Sequence, residues 1–285
     1  TVQFGQVNNF TDNQFVQGAN FTSLNRIWDI NPSVIAGAIT QAAGQKANVI
    51  MVNSNGIAFM GGAQVNLASF TASTLNMADE FVLDRLVGGD PSRPQFSGAQ
   101  GGGAARGFIK VFEGANITAD SQGRVMLIAP TVVNRGTVQA PDGQVILAAG
   151  TRAYLRTDDT VNSLDLRGLL VEVDSTTGLN SFDADNTTVT NGQLDGQTVT
   201  LVNADDDKLG HATNLGTLSA ARGNVTMVGY AVNQKGLARA TSSVVANGSV
   251  YLMARDSSVM PPGLGAQRTS TRAGQVVLGT GSRTE

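Results

Sequence analysis

The chain has 285 residues, 34 of them Gly, with 14% charged residues, 5% aromatics and a net charge of −3 from 19 basic and 22 acidic side chains. It has no Cys and one His, His211; this excludes disulfides, iron–sulfur clusters, a Cys nucleophile and any multi-His metal centre. A weak net charge of the wrong sign excludes nucleic acid as a partner, and no stretch approaches the roughly 20 apolar residues of a membrane-spanning helix.

The chain opens Thr1-Val2-Gln3-Phe4, which is neither a natural start nor a signal peptide, so it reads as a piece of something longer. The first helix signal is Asn31-Pro32, which predicts a short helix over Pro32 to Ala38. Val49–Val52 is a β segment, and Asn53-Ser54-Asn55-Gly56 before Ile57–Phe59 is a turn signal. A second short helix is expected from Asn76 to Leu83, after Thr74. Residues 1–96 are read as an N-terminal part, 97–107 as a Gly-rich connector, and 108–285 as a series of coils. Within that series, Gly107–Phe112, Arg124–Ile128, Gln144–Leu147 and Val250–Met253 are β segments. The irregular stretch 151–207 is expected to project as loops or hairpins.

Internal repetition is the stronger signal. A Gly, one or two polar residues and then β-branched and aliphatic residues recur after Gly123, Gly143, Gly196, Gly223, Gly248 and Gly274. The intervals are 20, 53, 27, 25 and 26 residues, the 53 reading as two periods with one copy diverged. A second element places Asn two or three residues before Gly, at Asn134/Gly136, Asn214/Gly216 and Asn233/Gly236, pairs suited to turns with positive φ. A period of 20–27 residues built from short strands with Gly/Asn corners predicts a β-solenoid, each coil pairing with the coils on either side. The competing fold is a β-sandwich, but Asn-Gly hairpins between equal strands are few.

No motif carries chemistry. Gly101–Gly103 near Arg106 lacks the Gly-Lys-Ser/Thr ending of a phosphate loop. Asp205–Asp207 lacks the Gly spacing of a calcium loop and reads as a solvated turn. Asp158, Asp159, Asp183 and Asp185, with Arg152 and Arg156, are the groups a glycan-cleaving site would use, with nothing in the sequence to bring them onto one face. No Gly-x-Ser-x-Gly nucleophile pattern occurs. The expectation is no catalytic residue, no cofactor and no metal.

The segment from Leu24 to Leu83 resembles a known family. Asn31-Pro-Ser-Val-Ile-Ala-Gly37, Asn53-Ser-Asn-Gly56, Gly62-Ala-Gln-Val-Asn66 and Ala72-Ser-Thr-Leu-Asn76 follow one another in the order seen in two-partner secretion exoproteins, the filamentous-haemagglutinin family of adhesins and cytolysins. The downstream glycine-led copies look like haemagglutinin repeats. Two departures stand out: Ser54 replaces the Pro of the family's Asn-Pro-Asn-Gly motif, and Phe10 to Phe21 looks like an insertion.

The resemblance implies a right-handed parallel β-helix, secreted or held at the bacterial cell surface. It also implies export in unfolded form through a dedicated outer-membrane β-barrel transporter, with folding outside the cell drawing the chain across. Asn31, Pro32, Asn53, Ser54, Asn55 and Gly56 would then recognise the transporter or shape the first coils. Other implied partners are a receptor or glycan on a host or neighbouring cell, and a second copy added end to end. The implied role is that of a non-catalytic adhesin or filament protein; a β-helical polysaccharide-degrading enzyme and a self-assembling fibre subunit are the alternatives.

Overall fold

The computed structural model describes residues 2–4, 12–15, 20–78, 81, 93–99, 107–156, 169–174, 191–194, 197–200, 209–241, 248–259, 269–270 and 274–285. Three parallel sheets run the length of the chain. Sheet I has eight strands, from Val2–Phe4 through Lys46–Val52 and Gln144–Ala149 to Ser249–Ala254; sheet II has seven, from Ser33–Ile35 to Gln275–Leu278; sheet III has eight, from Asp12–Phe15 to Arg283–Thr284. The chain visits them in the order I, II, III and returns to I one strand further along. This is a right-handed parallel β-helix.

Register explains why small aliphatic residues dominate. Inside the coil Val49, Phe70, Val125, Val145, Val225 and Val250 stack in one column, and Met51, Ala72, Leu127, Leu147, Met227 and Leu252 in the next. These columns belong to one continuous core, and a narrow interior takes small residues in every layer. The Phe59 and Phe70 rings meet edge to face, with centroids 5.8 Å apart.

The outer face of sheet I is apolar as well, so Arg124–Ala129 and Gln144–Ala149 are buried along their whole length. Its cover is a four-stranded antiparallel sheet in the order Asn76–Met77, Phe96–Ser97, Arg152–Arg156, Leu170–Asp174. Met77, Phe96, Ala153, Leu155, Val171 and Val173 pack down onto Ile50, Met126, Ile128 and Ile146. The Arg26 guanidinium also donates to the Met77 carbonyl, tying cover to coil. The cover strands, the antiparallel hairpin Asn191–Leu194/Gln197–Thr200 and the pair Ser258–Val259/Thr269–Ser270 all leave the helix at the same corner, between sheets I and II.

The structure departs from the sequence expectations in five places. Ser33–Ile35 and Ala38–Gln41 are strands where a helix over Pro32 to Ala38 is expected, because Ser33-Val-Ile finds a parallel partner in Ile57–Phe59. Asn76–Met77 is a strand of the cover; the rest of the second expected helix lies mostly outside the described residues, Phe81 alone having helical backbone. Within Phe10 to Phe21, read as an insertion, Asp12–Phe15 is a coil strand pairing with Ala38–Gln41 in sheet III, and Asn20 and Phe21 open the strand Asn20–Ile27, which pairs with Lys46–Val52 in sheet I.

The glycine copies are not all equivalent. Gly123, Gly143, Gly223 and Gly248 stack at the corner entering sheet I. Gly274 instead leads a strand of sheet II, while Gly196 lies outside the described residues and the segment after it, Gln197–Thr200, pairs antiparallel with Asn191–Leu194. Finally, Gly136, Gly216 and Gly236 are not at positive φ. They stack on one another, and a Cβ on Gly216 would sit 2.1 Å from the Gly136 carbonyl oxygen, so close approach is what demands glycine there.

Candidate functional site

The six motif residues lie on two adjacent corners between sheets I and II, and an amide network joins the corners. Asn53 is fully buried. Its Nδ2 donates to the Asn31 carbonyl at 3.0 Å and to Ser33 Oγ at 2.9 Å, both on the preceding coil. Its Oδ1 accepts the Asn55 backbone N–H at 3.0 Å, an Asx turn that sets the bend, and its own N–H donates to the Ser73 carbonyl one coil further on. One side chain thus satisfies backbone groups that a tight corner would leave without partners.

Asn55 and Asn31 are exposed, each with one hand on the network. Asn55 Nδ2 donates to the Asp29 carbonyl at 2.6 Å, and the Asp29 carboxylate accepts the N–H and Nδ2 of Asn31 at 3.2 and 3.1 Å. Gly56 closes the bend at φ +136°, and a Cβ there would lie 2.5 Å from the Phe108 ring. Pro32 and Ser54 are half-buried. Sequence reasoning missed Asp29, which joins Asn31 to Asn55, and its two exposed neighbours: Trp28, the only Trp of the chain, is 57% exposed and Ile30 86%. An exposed Trp is the one sequence-visible hint of a contact surface.

Of the other residues singled out from sequence, Asp158, Asp159, Asp183, Asp185, Asp205–Asp207, Gly101–Gly103 and Arg106 lie outside the described residues. Arg152 and Arg156 sit on one strand of the cover, with Arg152 3.6 Å from Asp174, an acid the sequence did not single out. His211 lies on sheet II with Nδ1 3.2 Å from Asn233 Nδ2. Among the described residues no group of three or more His, Asp or Glu side chains is placed to hold a metal.

The model of the TPS (two-partner secretion) secretion domain family matches residues 1–250. The chain belongs to that family. As a TPS-domain protein it is secreted or displayed at the cell surface. Among solved structures it is similar to the HMW1 secretion domain from Haemophilus influenzae, at 20% identity and a TM-score of 0.48, over 89% of this chain and 57% of that one. The chain therefore spans little more than half the length of that TPS relative. No curated protein matches the chain.

Proposed function

We propose that this TPS domain is the non-catalytic N-terminal part of an adhesin or filament protein, and that its first coils both engage the transporter and template the folding of the coils that follow. The observation that carries this reading is the locked pair of corners at Asn31 and Asn53. Each later strand pairs with one already in place, so a solenoid grows from a nucleus, and the costly step is forming the first coils. An amide network that fixes two successive corners lowers that cost where growth begins. Export without a nucleotide energy source then draws on the free energy of coils added outside the cell. Absence of Cys suits the same route, since no crosslink interrupts passage of an extended chain.

In this reading Asn53 shapes the corner, while Asn31 and Asn55, with one face in solvent, are presented to the transporter. Asn53→Ala and Asn55→Ala, expressed with the transporter, are expected to lose most of their secretion while synthesis stays intact, read by immunoblot of cell and medium fractions. Normal export of both variants would overturn the assignment.

A further inference from the structure

We infer that a cleft of about 620 Å³, formed where the outer segments converge, binds the hydroxyl groups of a neutral sugar. Its walls come from three separate excursions of the chain. Ser97 and Gly98 belong to the first, Thr151, Arg152 and Asp174 to the second, and Ser257, Ser258 and Val259 to the third. Excursions from a rigid scaffold that meet at one concave surface are the usual makers of a binding site.

Asp174 is the hub of the cleft. Its Oδ2 accepts the Tyr154 hydroxyl at 3.0 Å, its Oδ1 accepts the Ser258 N–H at 2.7 Å, and its carbonyl accepts the Thr151 hydroxyl at 3.0 Å. Those bonds fix the second and third excursions to each other. Arg152 lies 3.6 Å from the same carboxylate, close enough to neutralise it and too far for a hydrogen bond. Its side chain is 60% exposed and makes no hydrogen bond among the described residues, which leaves its N–H donors for a ligand. Ser258 Oγ is buried without a hydrogen-bond partner.

Charge and shape select the ligand. Arg152 faces Asp174, beside the cleft Arg255 faces Glu172 at 3.2 Å, and the Asp256 carboxylate accepts the Ser257 N–H at 2.7 Å, which leaves one negative charge in excess. Such a cleft gives little to a free anion. It offers guanidinium donors and hydroxyls that both donate and accept, which match the vicinal hydroxyls of a sugar ring. Val259, half exposed at the rim, supplies an apolar contact for the ring's C–H face. Tyr154 is buried behind Asp174 and no aromatic ring lines the cleft among the described residues, so affinity per sugar is modest. This site is independent of the export reading, since none of its residues belongs to the Asn31 and Asn53 corners.

The test is titration of the ¹⁵N-labelled chain with cellobiose, maltose, lactose and glucuronate. At least one neutral disaccharide is expected to shift amide signals confined to Ser97–Gly98, Thr151–Arg152, Asp174 and Ser257–Val259. The midpoint is expected to be unchanged by added salt, about tenfold weaker in Arg152→Gln and a few-fold weaker in Ser258→Ala. Parental circular dichroism and thermal midpoints in both variants check that the fold is kept. No shift with any sugar, shifts elsewhere, unchanged binding by Arg152→Gln, or a salt-sensitive preference for glucuronate would each overturn the assignment.

Discussion

At the scale of single residues, the chain pairs an economical polar burial with a costly one. Asn53 is the economical one, since every group it brings inside is bonded. Asn53→Ala leaves the Asn55 N–H and Ser33 Oγ without those partners in a buried corner, and the expected loss is about 1–3 kcal/mol, measured by urea unfolding. Arg124 is the costly one. It sits on the outer face of sheet I beneath the cover, and its Nε and Nη1 have no hydrogen-bond partner. Desolvation by burial lowers its pKa to about 10. The folded state therefore binds this proton less tightly than the unfolded chain, so stability rises with pH only above about 10. Below pH 10 both states are charged, and the whole penalty, on the order of 3 kcal/mol, is present and constant. Arg124→Met is expected to raise stability by about 1–3 kcal/mol, with a gain flat from pH 6 to 9. A thermal midpoint at or below that of the parent would refute it.

At the scale of elements, stacked columns decide what each position tolerates. Gly143 rests against Gly123, and an added Cβ would lie 1.8 Å from the Gly123 carbonyl oxygen. Gly44 has a left-handed φ of +77° but open space around it. Gly143→Ala is thus expected to cost on the order of 4 kcal/mol or more, against about 1 kcal/mol for Gly44→Ala, read from urea midpoints. A second column runs inside sheet II. Asn134 Nδ2 donates to Asn214 Oδ1 at 2.8 Å, Asn214 Nδ2 to Gln234 Oε1 at 2.8 Å, and Gln234 Nε2 to the Arg283 carbonyl at 3.1 Å. The same column continues through Val111, Phe59 and Ile35, all apolar. Asn214→Leu alone strands the amides on either side and is expected to cost more than replacing Asn134, Asn214 and Gln234 together by Leu. This rule of layers is also what the sequence displays. Gly123, Gly143, Gly223 and Gly248 are legible because one corner recurs with one steric demand. Gly274 is misleading because the same local pattern starts a strand in any sheet, and the excursion before it resets the count to a different side. Pro32–Ala38 misleads for a related reason: Asn-Pro opens a helix or a coil corner equally well, and only the parallel partner Ile57–Phe59 decides. The Asn53–Gly56 bend is legible from Asx chemistry, which is local. The Asp29 carboxylate's bonds to Asn31 are equally local, but the bond from Asn55 to the Asp29 carbonyl depends on which corner stacks beside it.

At the scale of the whole molecule, a solenoid is close to one-dimensional, and its stability is distributed by position along the axis. Gln144–Ala149 is paired on both sides, by Arg124–Ala129 and Asn224–Gly229, and is buried throughout beneath the cover. At the far end Gln275–Leu278 is paired, among the described residues, only with Ala231–Gln234, and all four of its residues are exposed. Ser249–Ala254 has one partner strand among the described residues, and Tyr251, Val276, Val277 and Leu278 leave apolar surface in solvent there. A strand with one neighbour loses half its ladder and half its layer contacts, so it opens at a fraction of the global free energy. Opening it leaves the coil beneath intact, because each coil rests only on its neighbours. Amide exchange is therefore expected to be graded: fastest over Gln275–Leu278 and Arg283–Thr284, slower over Leu237–Arg239 and Ala231–Gln234, and slowest over Gln144–Ala149 and Arg124–Ala129. Such a gradient is also what coil-by-coil growth requires, because a chain that folds as it emerges must hold its early coils firmly while the newest is still exchanging. Uniform protection from the first coil to the last, lost in one cooperative step, would show instead that the coils form together, and would remove the physical basis for export driven by sequential folding.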